Sequence, residues 1–230
     1  MRTLAITLVA TALILGTSLP AAAQNTNFQT TFQLRYWGAG FGSGAGAITA
    51  TDSASTWGGT LRLDSRTSPW SFSGRYDSMS VTPSAWPFTS AYLWDANVHY
   101  RFGGGTLDQY FGLFAGYGSV SAFRGDTAVR GTGSGFRIGA EFLVRQPGGF
   151  YFTADGAYGP SWSTTIQGFT GTAAGNVTDF KAALGYEMQS GVGLELGWRV
   201  VNWTIPTSPG CPSGCNFQFS GVVGAVTIRR

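Results

Sequence analysis

The feature that most constrains this chain is where its charges fall. From about residue 28 onward, apolar and polar side chains alternate with a period of two, the mark of strands with two unlike faces. The clearest segment, 91–102, sets Tyr92, Trp94, Ala96, Val98, Tyr100 and Phe102 against Asp95, Asn97, His99 and Arg101. Comparable segments lie at about 28–37, 57–64, 70–80, 109–120, 136–145, 150–158, 179–188, 192–200 and 217–228. Their polar faces carry Arg35, Arg62, Arg75, Arg101, Arg137, Arg145, Lys181 and Arg199, together with Asp64, Asp77, Asp95, Glu141, Asp155, Asp179, Glu187 and Glu195. None of these charges falls on an apolar face.

Two segments read less simply. Segment 109–120 is apolar on both faces; the preferred reading puts Phe111, Leu113, Ala115 and Tyr117 outside and Gly112, Gly116 and Gly118 on a crowded inside. In the last segment Phe217 and Phe219 change parity with Val222, Val226 and Ile228, which reads as a β-bulge near Gly221.

Connections alternate in length. Asp64–Pro69, Gly103–Asp108, Gln146–Gly149 and Gln189–Gly191 are short and rich in Gly, Pro or Ser, as tight turns require. Longer polar stretches lie between them, at about 38–56, 82–90, 121–133, 163–177 and 204–216. Short turns on one side and long loops on the other are the layout of a transmembrane β-barrel. Apolar runs of about ten residues suffice for a tilted strand to cross a bilayer. An even number of strands closes the sheet and leaves no backbone edge in lipid. The expected fold is therefore all-β, a closed antiparallel transmembrane barrel of about ten strands, with eight or twelve as the alternatives.

Composition agrees with this reading. Charged residues make up 11% of the chain, aromatics 15%, and 35 of 230 residues are Gly, while mean hydropathy is only +0.05. Trp70, Tyr100, Phe102 and Phe150 sit beside short turns; Tyr36, Trp57, Tyr76, Tyr92, Trp94 and Tyr158 sit beside long loops. Two such belts are what two membrane interfaces select. A soluble β-protein would carry its charges outside instead. The formal charge of +3 includes no basic run, so nucleic acid is not an expected partner. Residues 1–23 read as a cleaved signal peptide, with a positive start, an apolar stretch and small residues at Ala21 and Ala23. Residues 24–230 then form the barrel domain.

Over about 28–228 the chain resembles small bacterial outer-membrane β-barrel proteins of the OmpA-like and porin type. Its aromatic–glycine run Tyr110-Phe111-Gly112-Leu113-Phe114-Ala115-Gly116-Tyr117-Gly118 is similar to strands of that group. One departure stands out: such proteins usually end in an aromatic residue read by the assembly machinery, and this chain ends Ile228-Arg229-Arg230. The resemblance implies an outer-membrane location, outer-membrane lipid as surroundings, and small solutes or an extracellular ligand as partners.

Little here points to chemistry. His99 is the only His. It sits near the short-turn end, and the expected role is structural, bonded to a lumen carboxylate such as Asp95. Equal numbers of cations and anions on one face make interior ion pairs the expected state of both. Gly42–Ala47 matches a loose G-x-G-x-x-A without a βαβ unit and reads as loop. Two thiols are too few for a metal site, and Cys211 and Cys215, close together in an exported chain, are expected to form a disulfide that pins the last long loop. No catalytic, metal or cofactor-binding residue is assigned. The expected protein is a monomeric, non-enzymatic barrel, porin-like or structural, with its lumen narrowed by charge pairs. Alternatives are a binding or adhesion module acting through its outer loops, with Trp86-Pro87-Phe88 as a contact, or less favourably an outer-membrane hydrolase or acyltransferase.

Overall fold

A computed structural model describes residues 27–45, 50–82, 89–102, 107–124, 127–166, 172–207 and 212–230. Over these residues the chain is ten antiparallel strands: β1 (Phe28–Ala45), β2 (Ala50–Ser65), β3 (Trp70–Thr82), β4 (Ser90–Phe102), β5 (Gln109–Arg124), β6 (Thr127–Arg145), β7 (Phe150–Ile166), β8 (Thr172–Glu187), β9 (Val192–Ile205) and β10 (Cys215–Arg229). Each strand pairs with its sequence neighbours, and β10 returns to β1, so the sheet is a closed barrel. The seam is paired to the last residue, where Thr30 and Arg230 exchange two backbone hydrogen bonds of 2.8 and 2.9 Å. Closure leaves no unpaired edge for lipid or another chain to meet.

In the half of the barrel nearer the short turns, the side-chain pattern is inside out. Trp70, Phe72 and Tyr76, Leu113 and Phe111, Leu194 and Leu196 are exposed. Arg35, Asp77, Asp95, Arg101, Arg137, Glu141, Asp179 and Arg199 are buried. Between the two aromatic belts no charged side chain of the described strands faces outward. The apolar exterior on β4 runs from Tyr92 to Phe102; at about 3.3 Å per residue and a tilt near 40°, that is roughly 25 Å, the height of a barrel's lipid band.

Above the ring of Tyr36, Trp57, Tyr76, Trp94, Tyr117 and Tyr158 the polarity reverses. Outward positions become Ser53, Ser80, Thr82, Thr132, Ser163, Asn176, Thr178 and Thr204. Inward positions become Trp37, Phe41, Met79, Leu93, Val120, Trp162, Val201, Trp203, Ile205, Phe217 and Phe219, packed in one apolar cluster. This part is built like a soluble barrel, with its oil inside. Strands therefore continue where long loops were expected. The stretches 38–56, 121–133 and 163–177 are largely strand among their described residues, β9 and β10 reach into 204–216 as far as Ile205 and back to Cys215, and Gly42–Ala45 of the glycine-rich match belongs to β1.

Strand β10 shows the reversal without any irregularity. Its register against both β1 and β9 is continuous, so the expected bulge near Gly221 is absent. Phe217 and Phe219 face the interior, while Val222, Val226 and Ile228 face out. The change of apolar face reflects a change of surroundings. A true bulge lies on β7, where the pairing with both β6 and β8 slips by one residue around Pro160 and Ser161. Ser161 adopts φ 54° there, a left-handed conformation uncommon for a residue with a Cβ. The slip exchanges the two faces of β7 and turns Trp162 into the bore.

The turns confirm the sequence chemistry of the short end. Gly148, Gly149 and Gly191 have φ of 105°, 91° and 80°, which only Gly adopts without strain. Residues 1–23, Trp86-Pro87-Phe88 and Cys211 lie outside the described residues.

Candidate functional site: the lumen

Because one parity of every strand points inward, the charges of nine of the ten strands converge in the lower lumen. The centre of the network is Asp77 and Asp179. Asp77 accepts from Arg35 Nε and Arg199 Nη1, both at 2.8 Å. Asp179 accepts from Arg199 Nε and Nη2, both at 3.0 Å, and from Arg75. Asp95 accepts from Arg75 Nε at 2.7 Å, Arg137 at 2.8 Å and Asn97 at 2.6 Å. A buried cation is tolerated only when so paired.

A second group lies nearer the short turns. Arg62 binds Glu141 through both terminal nitrogens, at 2.6 and 2.9 Å, and Asp64 through Nε at 2.8 Å. Arg101 donates to Asp64, to Ser71 and to the carbonyls of Ser65 and Ser68, which fastens the first short turn to the barrel wall. Lys181 pairs with Glu195 at 3.0 Å and lies 3.8 Å from Asp155. At the rim Glu187 holds Arg145 at 2.7 Å and Arg229 at 2.6 Å. Arg229 of β10 thus ties its strand to the rim of β8.

His99 is not with Asp95. Its Nε2 meets Ser73 Oγ at 2.8 Å, and its Nδ1 lies 3.2 Å from Glu141 Oε2. Asp95 is already occupied by two arginines and Asn97, and the barrel's stagger sets β6, two strands away, against the ring. Sequence reasoning placed His99 inside beside a lumen carboxylate, and that carboxylate is Glu141 rather than Asp95.

Several lumen residues lacked a signal. Arg199 stacks on Trp37 at 4.9 Å, joining the charged layer to the apolar one above. Arg137 lies over Phe114 at 5.6 Å, Arg145 over Tyr151 at 4.8 Å, and Arg62 over Tyr110 at 5.4 Å. Trp162, only 1% exposed, donates from Nε1 to the carbonyl of Phe136 at 2.9 Å. That carbonyl sits where the bulge interrupts pairing, so the indole satisfies a group the ladder leaves open.

What remains empty is a polar cavity of about 200 Å³ in the lower lumen. It reaches the short-turn rim at Leu107, Arg145, Glu187 and Arg229 and is bounded inward by Arg35, Arg75, Arg137 and Arg199. Above it the bore is filled: Trp37, Met79, Trp162, Ile205 and Val223 are at most 1% exposed. The lumen is a blind vestibule with an apolar ceiling. Cys215, the first residue of β10, is buried near that upper end.

Fold and site together define an inside-out, ten-stranded closed barrel with a plugged bore. No protein-family model and no curated protein matches the chain. Among solved structures it is similar to the translocator domain of the autotransporter NalP from Neisseria meningitidis, at 14% identity over 95% of this chain and 96% of that one, with a TM-score of 0.41. It is also similar to an outer-membrane channel from Pseudomonas putida F1, at 9% identity over 88% and 95% of the two chains, with a TM-score of 0.45. A third is the Pseudomonas putida toluene transporter TodX, at 10% identity over 92% of each chain, with a TM-score of 0.30. At these scores the likenesses carry no argument about solute or role.

Proposed function

We propose that this protein is a bacterial outer-membrane β-barrel of the porin-like or structural kind whose bore is closed at rest. The observation that carries the reading is the double seal: a charge network below and the apolar layer of Trp37, Trp162 and Trp203 above. The exposed band of about 25 Å between two aromatic belts supports placement in lipid. The short turns and both termini then face the periplasm, and the reversed-polarity section stands above the outer leaflet. The chain reaches that membrane through residues 1–23, and Cys211 and Cys215 close the last outer loop as a disulfide. The barrel acts as a monomer, surrounded by lipid, and the reading requires no cofactor. Refolded protein in a planar bilayer is expected to show small or intermittent conductance with weak ion selectivity. A large, steady and selective pore would overturn the closed-barrel reading.

The projecting section supports a second reading. Four to nine residues of each strand continue past the upper belt, about 10–23 Å at the usual rise and tilt, and they hold the outer loops on an apolar-cored stem. Such a stem suits surface binding. Loss of partner capture on loop replacement, with the barrel intact, is the measurement that favours this role over solute passage.

A further inference from the structure

The vestibule wall contains one arrangement that neither lipid insertion nor closure requires. Ser73 on β3, His99 on β4 and Glu141 on β6 form a chain across the lumen. Ser73 Oγ is 2.8 Å from His99 Nε2, and His99 Nδ1 is 3.2 Å from Glu141 Oε2, too oblique for an aligned hydrogen bond. Such bonds are often poorly aligned before substrate binds. A carboxylate facing Nδ1 keeps the proton on that nitrogen and leaves Nε2 to accept from the serine hydroxyl. Arg62 grips both oxygens of Glu141, and the ring of His99 packs on Phe114 at 5.1 Å between centroids. Ser73 and His99 stand on the paired strands β3 and β4, and all three side chains border the same cavity. Asn97 lies opposite Ser73 in the β3–β4 register, with its Nδ2 3.5 Å from Ser73 Oγ.

We propose that Ser73 is an acylatable nucleophile, with His99 as its general base and acid, acting on small carboxylic esters that enter the vestibule from the short-turn end. Ser73 Oγ bonds to the ester carbonyl carbon as its proton passes to His99 Nε2. The carbonyl π electrons move to oxygen, where the Asn97 amide donates. Collapse of this tetrahedral species breaks the carbon–oxygen bond to the alcohol, which leaves with the proton from His99. Water then repeats the sequence, releasing the acid and restoring Ser73. Glu141 touches no substrate; it is a positioning residue that holds the tautomer and faces the imidazolium as it forms. The cavity, about seven water volumes at ~30 Å³ each, limits the substrate to a short acyl group and a small alcohol. This goes beyond the closed-barrel reading and stands apart from it, since it needs only the vestibule and no conduction. It runs against the expectation of a non-enzymatic barrel, which weighed His99 beside a lumen carboxylate but without Ser73.

The deciding measurement is made on full-length refolded protein, shown folded by its shifted gel mobility before heating. Treated with diisopropyl fluorophosphate and mapped by peptide mass spectrometry, it should carry the diisopropylphosphoryl group on Ser73 and on no comparable serine. Hydrolysis of p-nitrophenyl acetate should fall by about 10²-fold or more in Ser73→Ala and in His99→Gln. In Glu141→Gln kcat should fall about tenfold or more with KM unchanged. An unmodified Ser73 in folded wild-type protein would overturn the proposal whatever the variants do, and so would equal hydrolysis by wild type and Ser73→Ala.

Discussion

Asp179 shows how much of this barrel depends on single charges. Its two oxygens face Arg75, Arg137 and Arg199, all in the bore. Removing a buried partner leaves uncompensated charge and costs about 3–5 kcal/mol, far more than a surface pair contributes. Asp179→Ala is accordingly expected to destabilise the barrel by about that amount in urea unfolding from lipid vesicles. Asp108→Ala, at the exposed rim, should change stability by less than about 1 kcal/mol. A similar small effect for both would mean that the network is hydrated and loosely held. Which residues enter the lumen was legible, because one parity of a strand shares one face. Which residue meets which was not. Partners such as Arg62 and Glu141, or Arg199 and Asp77, are set by the stagger of a closed sheet and are distant in sequence. The same blindness hid Ser73, a small polar residue among many, until the structure placed it against His99.

Strand β10 poses the test at the next scale. Gln218 and Val226 lie on the same outward face of one regular strand, yet one is polar and the other apolar. If the surroundings change between them, Val226→Arg should destabilise, by roughly 2–4 kcal/mol near mid-bilayer and less toward an interface, whereas Gln218→Arg should be close to neutral. Equal costs would place both in the same medium, and the reversal of polarity would need another cause. The ten inside-out segments were legible because lipid and charge make the strongest contrast a strand can show. Their continuations at 38–45, 50–56 and 172–178 were not, since the alternation there runs between Gly, Ser, Thr or Ala and scattered apolar residues. Those are turn-forming residues by composition, and only pairing with neighbouring strands reveals them as sheet. The β7 bulge is a related case: Pro160 suggests an irregularity, but the exchange of faces that sends Trp162 inward follows from how both neighbours pair around it.

For the molecule as a whole, the two layers make different barriers to ions. The lower one is electrostatic: cations and anions in near balance, paired, with their fields cancelled. Neutralising Arg75, Arg101 and Arg137 together would loosen it and tilt the remaining charge toward carboxylate. An ion passing that layer would still meet a dry ceiling of Trp37, Trp162, Trp203, Phe217 and Phe219. Apolar constrictions of this kind keep current small by excluding water, whatever the charge below. The triple arginine variant alone is therefore expected to conduct no more than wild type in a planar bilayer. Adding Trp37→Ala, Trp162→Ala and Trp203→Ala should open a path and give cation-preferring current, because Asp95 has then lost both its arginines and Asp64 keeps only Arg62. Tryptophan variants with the arginines intact should give intermediate, weakly selective current. If the arginine variant alone opened a steady pore, the apolar layer would be permeable and the charge network would be the gate.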